Sequence, residues 1–147
     1  MAWGNSGRIS EVLIAQKKII RTIMFKGFAQ SCPPLFRDLK VLTAISVYVL
    51  QRAKHVKKNI NKFVRVREVQ HAYSLRNNES LRLPSYKLSL TGNSSIIMPM
   101  KIYNHLPNSI KEAENLNKFK RGVVELLVQH SFYDINEYFS HNFDRIA

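Results

Sequence analysis

Three stretches of this chain place apolar residues at the i, i+3, i+4, i+7 spacing of a single helical face, and that spacing restricts the fold more than any other feature. The first stretch, helical from about Ser10, sets Ile9, Val12, Leu13, Gln16, Ile20, Ile23 and Met24 on one side and Lys17, Lys18 and Arg21 on the other, with Gly27 as its stop. The second opens at Thr43 or Ala44, runs to about Lys58 and groups Ile45, Tyr48, Val49 and Val56. The third follows Asn115, a candidate cap, and groups Leu116, Phe119, Val123, Leu126, Leu127 and His130. Stripes of this kind must be buried against one another. The predicted fold is therefore mainly α: a small, irregular helical domain with at most one short β-hairpin.

The connecting segments are shorter and less regular. Ser31 before Cys32-Pro33-Pro34 reads as a helix start, with the serine as cap and the prolines in the first turn. Phe63, Val64, Val66 and Val69 suggest a short strand. Leu81, Leu83, Tyr86, Leu88 and Leu90 alternate around Pro84, as in an edge strand or an extended segment, and a turn follows at 91–95. The apolar run 96–106 predicts a short helix interrupted near Pro99, then one helical turn from Asn108 or Ser109 through Lys111. Asp134 and Glu137 have the spacing of a capping box, opening a last helix through Phe143. The expected organisation is one fragment-like domain: a basic helical part over 1–62, an extended connection over 63–94 and a helical part over 95–147.

Charge carries the functional reading. The 147 residues have a formal net charge of +13, and it is unevenly spread: 1–67 hold 14 Lys/Arg against only Glu11 and Asp38, whereas 68–147 hold 9 against 8. Such a surplus suits a polyanion, because each cation set on a phosphate releases counterions. The candidate RNA or DNA contacts are Lys17, Lys18 and Arg21 on the first helix, Arg52, Lys54, Lys57 and Lys58 on the second, and Arg65 and Arg67 beyond it. No aromatic interleaves with those lysines, so phosphate contact without base readout is expected. Tyr73 and Arg76 form a further candidate, stacking on an unpaired base with a phosphate contact; the alternative is a loop anchor. A basic amphipathic module for a membrane surface or a protein, and a reading frame with no retained role, both stay open at this stage.

Other chemistry finds little support. The histidines are scattered at 55, 71, 105, 130 and 141 without the tight pairs of a zinc site, and Cys32 stands beside two prolines and no base. Glu112 and Glu114 are two apart, so on one helix they point away from each other. Phosphate-cradling glycine loops are absent from the sequence. No catalytic residue, metal, cofactor or small-molecule substrate is expected. One cysteine excludes an internal disulfide and fits an intracellular location, nucleus or cytoplasm. The longest largely apolar run, from Val41 to Gln51, is about half of what a membrane span requires. Residues 8–26 are basic and amphipathic, as mitochondrial targeting segments also are.

A series of short signatures occurs in a fixed order: Trp3-Gly4-Asn5-Ser6, Gln16-Lys17-Lys18, Ile20-Arg21, Ser31-Cys32-Pro33-Pro34-Leu35-Phe36, His71-x-Tyr73-x-x-Arg76, Leu81-Arg82-Leu83-Pro84, Lys101-Ile102-Tyr103-Asn104-His105-Leu106-Pro107, Phe119-Lys120 and Phe132-Tyr133. That order resembles the region C-terminal to the polymerase domain in reverse transcriptases of non-LTR (LINE-type, jockey-like) retrotransposons. The resemblance implies a non-catalytic piece of an RNA-directed DNA polymerase, with RNA or DNA and the polymerase domain as partners. The sequence itself lacks the Tyr-x-Asp-Asp pair that holds the catalytic metals, since Asp38, Asp134 and Asp144 are far apart.

Overall fold

The computed structural model describes residues 8–66, 80–85, 87 and 94–143. Within them the chain is mainly helical: α1 (Ile9–Ile23), α2 (Cys32–Asp38), α3 (Ala44–Lys58), a 3-10 turn (Ile60–Lys62), α4 (Ile97–His105), α5 (Asn108–Lys111), α6 (Leu116–His130) and α7 (Ile135–Ser140), with no strand among the described residues. Two compact units form, one from Met1–Leu50 with Arg121–His141 and the other from Gln51–Lys120 with Asn142–Ala147.

In the first unit, Leu13 and Ile20 of α1 pack on Cys32, Leu35 and Phe36 of α2, with Met24, Leu39 and Tyr133 at the margin. The face of α1 is rotated from the expected one. Its buried stripe runs through Leu13, Ile20 and Met24, and Lys17 lies between them. The Lys17 ammonium sits 3.8 Å from the centroid of the Tyr133 ring, and the Arg21 guanidinium donates to the Gln30 carbonyl at 3.0 and 3.2 Å. Both side chains have long apolar stems, which cover the core edge while the charged tips find local partners. Val12 and Ile23, expected inside, lie outside with Ile14 and Ile19, all between 48 and 57 % exposed. Of the three cations expected on the outer stripe, only Lys18 is exposed.

Helix ends follow local chemistry. Ser31 occupies the cap position of α2 but makes no capping bond. A cap serine accepts from the second or third N–H of the helix, and here those positions are Pro33 and Pro34, which have none. Helix α1 stops before Gly27: Phe25 adopts a left-handed φ of 50°, the Lys26 N–H reaches the Arg21 carbonyl and the Phe25 N–H reaches the Thr22 carbonyl. Helix α2 ends the same way on Lys40, with φ 52°. At the start of α3, the Gln16 side chain accepts from the Ala44 N–H at 2.8 Å, while the buried Thr43 hydroxyl accepts from the Ser46 N–H and donates to the Phe132 carbonyl. The buried face of α3 comprises Ile45, Tyr48, Val49 and Val56, as its spacing predicts.

The expected capping box is present in a shifted form, since Asp134 accepts from the Asn136 N–H and Glu137 from the Tyr133 N–H. Helix α7 closes at Ser140, short of the expected Phe143. Around it His130, Phe132, Tyr138 and His141 make an aromatic cluster, with the two imidazole centroids 4.1 Å apart. Burial, then His141 and Arg37, hold the His130 pKa below the usual value. Burial also raises Tyr138. The Tyr133 hydroxyl is pushed up to about 12, chiefly by burial and then by Cys32, with Arg21 opposing and Glu137 adding to the rise.

In the second unit, Ala53 and Val56 of α3, Leu81, and Ile97, Met98, Met100, Ile102 and Tyr103 of α4 are buried together with Leu106, Ala113 and Phe119. The rings of Tyr103 and Phe119 stack at 6.1 Å. Helix α4 runs through Pro99 without the expected interruption, because Pro99 is its third residue and a first-turn N–H has no helical acceptor to lose. The predicted strand around 63–66 is reduced to one antiparallel bridge, Arg65 with Leu81. Val69, Tyr86, Leu88, Leu90 and residues 91–93 of the expected strands and turn lie outside the described residues.

Two outcomes are expected. The buried Tyr133 hydroxyl has no hydrogen-bond partner among the described residues, so Tyr133→Phe should stabilise the fold by about 1 kcal/mol, measured as a higher urea midpoint. Because the folded His130 binds its proton less readily than the unfolded chain does, its stabilising contribution is complete above about pH 6.5 and is lost as the pH falls below that. Thermal midpoints should therefore drop on acidification, and His130→Phe should drop less; an equal drop would assign the effect elsewhere.

Candidate nucleic-acid interface

The described cations around the end of α3 and the bridge divide into two kinds. Lys57 turns inward: its ammonium donates to the Lys111 carbonyl at 2.7 Å and stands 5.5 Å from the centre of the Phe119 ring. Lys57, a candidate contact alongside Lys54 and Lys58, is therefore engaged within its own unit. Lys111, 6 % exposed, donates in turn to the Asn104 carbonyl and to the Asn108 side chain. Cations at helix ends satisfy carbonyls that have no partner within the helix. Lys54 and Lys58, one turn apart at the end of α3, are half-buried and exposed respectively, and Lys62 and Arg82 are exposed. Arg52 and Arg65 are half-buried.

A backbone clamp positions the Arg82 segment. In the antiparallel bridge, the Arg82 N–H bonds the Val64 carbonyl at 2.8 Å and the Val66 N–H bonds the Ser80 carbonyl at 3.0 Å. Leu81 consequently turns its own N–H and C=O to the opposite edge. The Asn104 carboxamide meets both there, accepting at 2.7 Å and donating at 2.8 Å. One side chain on α4 thus completes the pairing that a third strand would otherwise supply. Asn104 belongs to the Lys101–Pro107 signature, which the sequence marks without indicating this bond.

Beside the bridge lies a groove of about 680 Å³, lined by Lys62, Phe63, Val64, Arg82, Leu83, Pro84, Ser85, Ile96 and Met100. Among the described residues its lining includes two cations and no carboxylate. Spacing in the sequence could not reveal it, since Lys62 and Arg82 are 20 positions apart in the chain and are brought together only by the bridge.

The sequence-predicted residues thus have different fates. Lys54, Lys58 and Arg65 belong to the second unit, Arg65 in the bridge itself. Lys17 and Arg21 belong to the first unit and bond within it. Arg67, Tyr73 and Arg76 lie outside the described residues. Among the described residues no group of three His, Cys, Asp or Glu side chains is placed to hold a metal ion, and no helix is long and apolar enough to cross a membrane. Compared with protein-family models, curated proteins and solved structures, the chain matches none.

The clamp is testable by itself. Asn104→Ala leaves both main-chain groups of the buried Leu81 unpaired and should cost about 2 kcal/mol, read as a lower urea midpoint.

Proposed function

We propose that this chain is a non-catalytic nucleic-acid-binding appendage of a retrotransposon-type reverse transcriptase, holding RNA or DNA by its phosphate backbone. The observation that carries the reading is the cation distribution. Between Asp38 and Glu68 the sequence contains no acidic residue, and in this interval Lys58 and Lys62 are exposed, with Lys54 and Arg65 half-exposed beside them. Cations without carboxylate neighbours along the chain create a positive potential, which draws a polyanion and is screened by salt. The ordered resemblance to the region following the polymerase domain supplies the biological setting, in which template or target strands pass close to such an appendage. Backbone contact of this kind needs no base readout and no bound metal.

The test is fluorescence-anisotropy binding of the full chain to a single-stranded RNA and to a duplex DNA over a salt series. A steep fall of log K with log salt is expected. Lys54→Ala with Lys58→Ala should flatten the single-strand slope by about 1.4, two phosphate contacts at roughly 0.7 each. Weak binding that is insensitive to salt would refute the assignment.

A further inference from the structure

We propose that the groove beside the Arg65–Leu81 bridge seats one unpaired nucleotide of a single-stranded nucleic acid, its base against Phe63 and its phosphate between Lys62 and Arg82. The inference rests on the nucleic-acid reading above and gives it a specific site, at residues other than those used to test it.

The groove's chemistry is two-sided. Phe63, Val64, Leu83, Pro84, Ile96 and Met100 provide apolar walls, and Ile96 is 69 % exposed. Lys62 and Arg82 provide positive charge, and among the described residues no acidic side chain lines the groove to neutralise them. The matching ligand has a flat apolar face and an anion a few ångströms away from it, as a nucleotide does. Aromatic side chains hold bases by stacking, which tolerates any base because every base has a π-face. A volume of about 680 Å³ falls within the usual range for small-ligand sites, and its concave form does not suit insertion into a bilayer.

The strandedness follows from geometry. In a duplex the base faces are covered by their neighbours, so a duplex could reach only Lys62 and Arg82. An unpaired base can enter and use Phe63 as well. The groove is held in advance of binding, because the Arg82–Val64 hydrogen bond fixes one wall to the other and Asn104 holds Leu81 on the opposite edge. Less ordering is therefore required when the nucleotide arrives. Among the described residues the Ser85 hydroxyl is the one uncharged polar side chain in the lining, too little for base discrimination.

The decisive comparison uses the full chain, a twelve-nucleotide single strand and a blunt duplex of equal length at one salt concentration. Phe63→Ala should weaken single-strand binding about tenfold or more while leaving duplex affinity unchanged, and Phe63→Tyr should retain it. Lys62→Ala with Arg82→Ala, two exposed positions whose truncation spares the core, should also weaken the single strand. Photo-crosslinking of an iodouridine-substituted strand should label the peptide containing Phe63. Steep salt-dependent binding that is indifferent to Phe63, with the crosslink elsewhere, would overturn the groove assignment and leave the backbone-contact reading in place. Equal losses on strand and duplex, or a Phe63-dependent preference for an acidic peptide or anionic vesicles, would also overturn it. Failure of the unaltered chain to bind either nucleic acid would end both.

Discussion

A single carboxamide organises the second unit. Asn104 accepts from the Leu81 N–H and donates to the Leu81 carbonyl, and nearly everything distinctive about that unit follows from these two bonds. Buried main-chain groups must be paired, and among the described residues two short extended segments meet with no third strand beside them. Asn104 removes that deficit, which lets the Leu81 side chain be buried and fixes Arg82 against Val64. The carbonyl of Asn104 is itself bonded by the Lys111 ammonium, and the Lys111 carbonyl by the Lys57 ammonium. The helix ends of α4 and α5 and the last part of α3 are thus joined through charged donors.

This arrangement changes the meaning of the net charge. In a chain of +13 it is natural to assign every lysine to solvent or to a polyanion. Lys17, Arg21, Lys57 and Lys111 are instead bonded inside their own units, to an aromatic ring or to carbonyl oxygens. Acidic residues are few, so the carbonyls at helix ends and the faces of Tyr and Phe rings take the place of carboxylates. Of the cations that remain outside, Lys62 and Arg82 line an apolar groove, and that position is what makes them informative.

Much of the fold was legible from local chemistry. The start of α3, the helical turn at Asn108–Lys111 and the Asn115 cap of α6 follow from residue-by-residue rules that depend only on neighbours in the chain. The faces of α3 and α6 were also readable, because Ile45, Tyr48 and Val49, and Phe119, Val123 and Leu127, form unbroken stripes. Where local rules needed a partner, they held only in part. Ser31 does stand at the cap position of α2, but its acceptor role requires N–H groups that proline lacks. Gly27 looked like a stop, but the turn closed earlier on Phe25.

The sequence by itself determined the helical class, most helix boundaries and the surplus of positive charge, since periodicity, capping and composition are properties of neighbouring residues. Only the tertiary structure decided which way α1 turned, which lysines remained outside and where a groove formed. Those outcomes depend on contacts between residues distant in the chain, Lys17 with Tyr133, Lys57 with Lys111, Asn104 with Leu81. A long cationic side chain can lie along a core edge or extend into water at similar cost. The partner that the fold places within its reach selects between them.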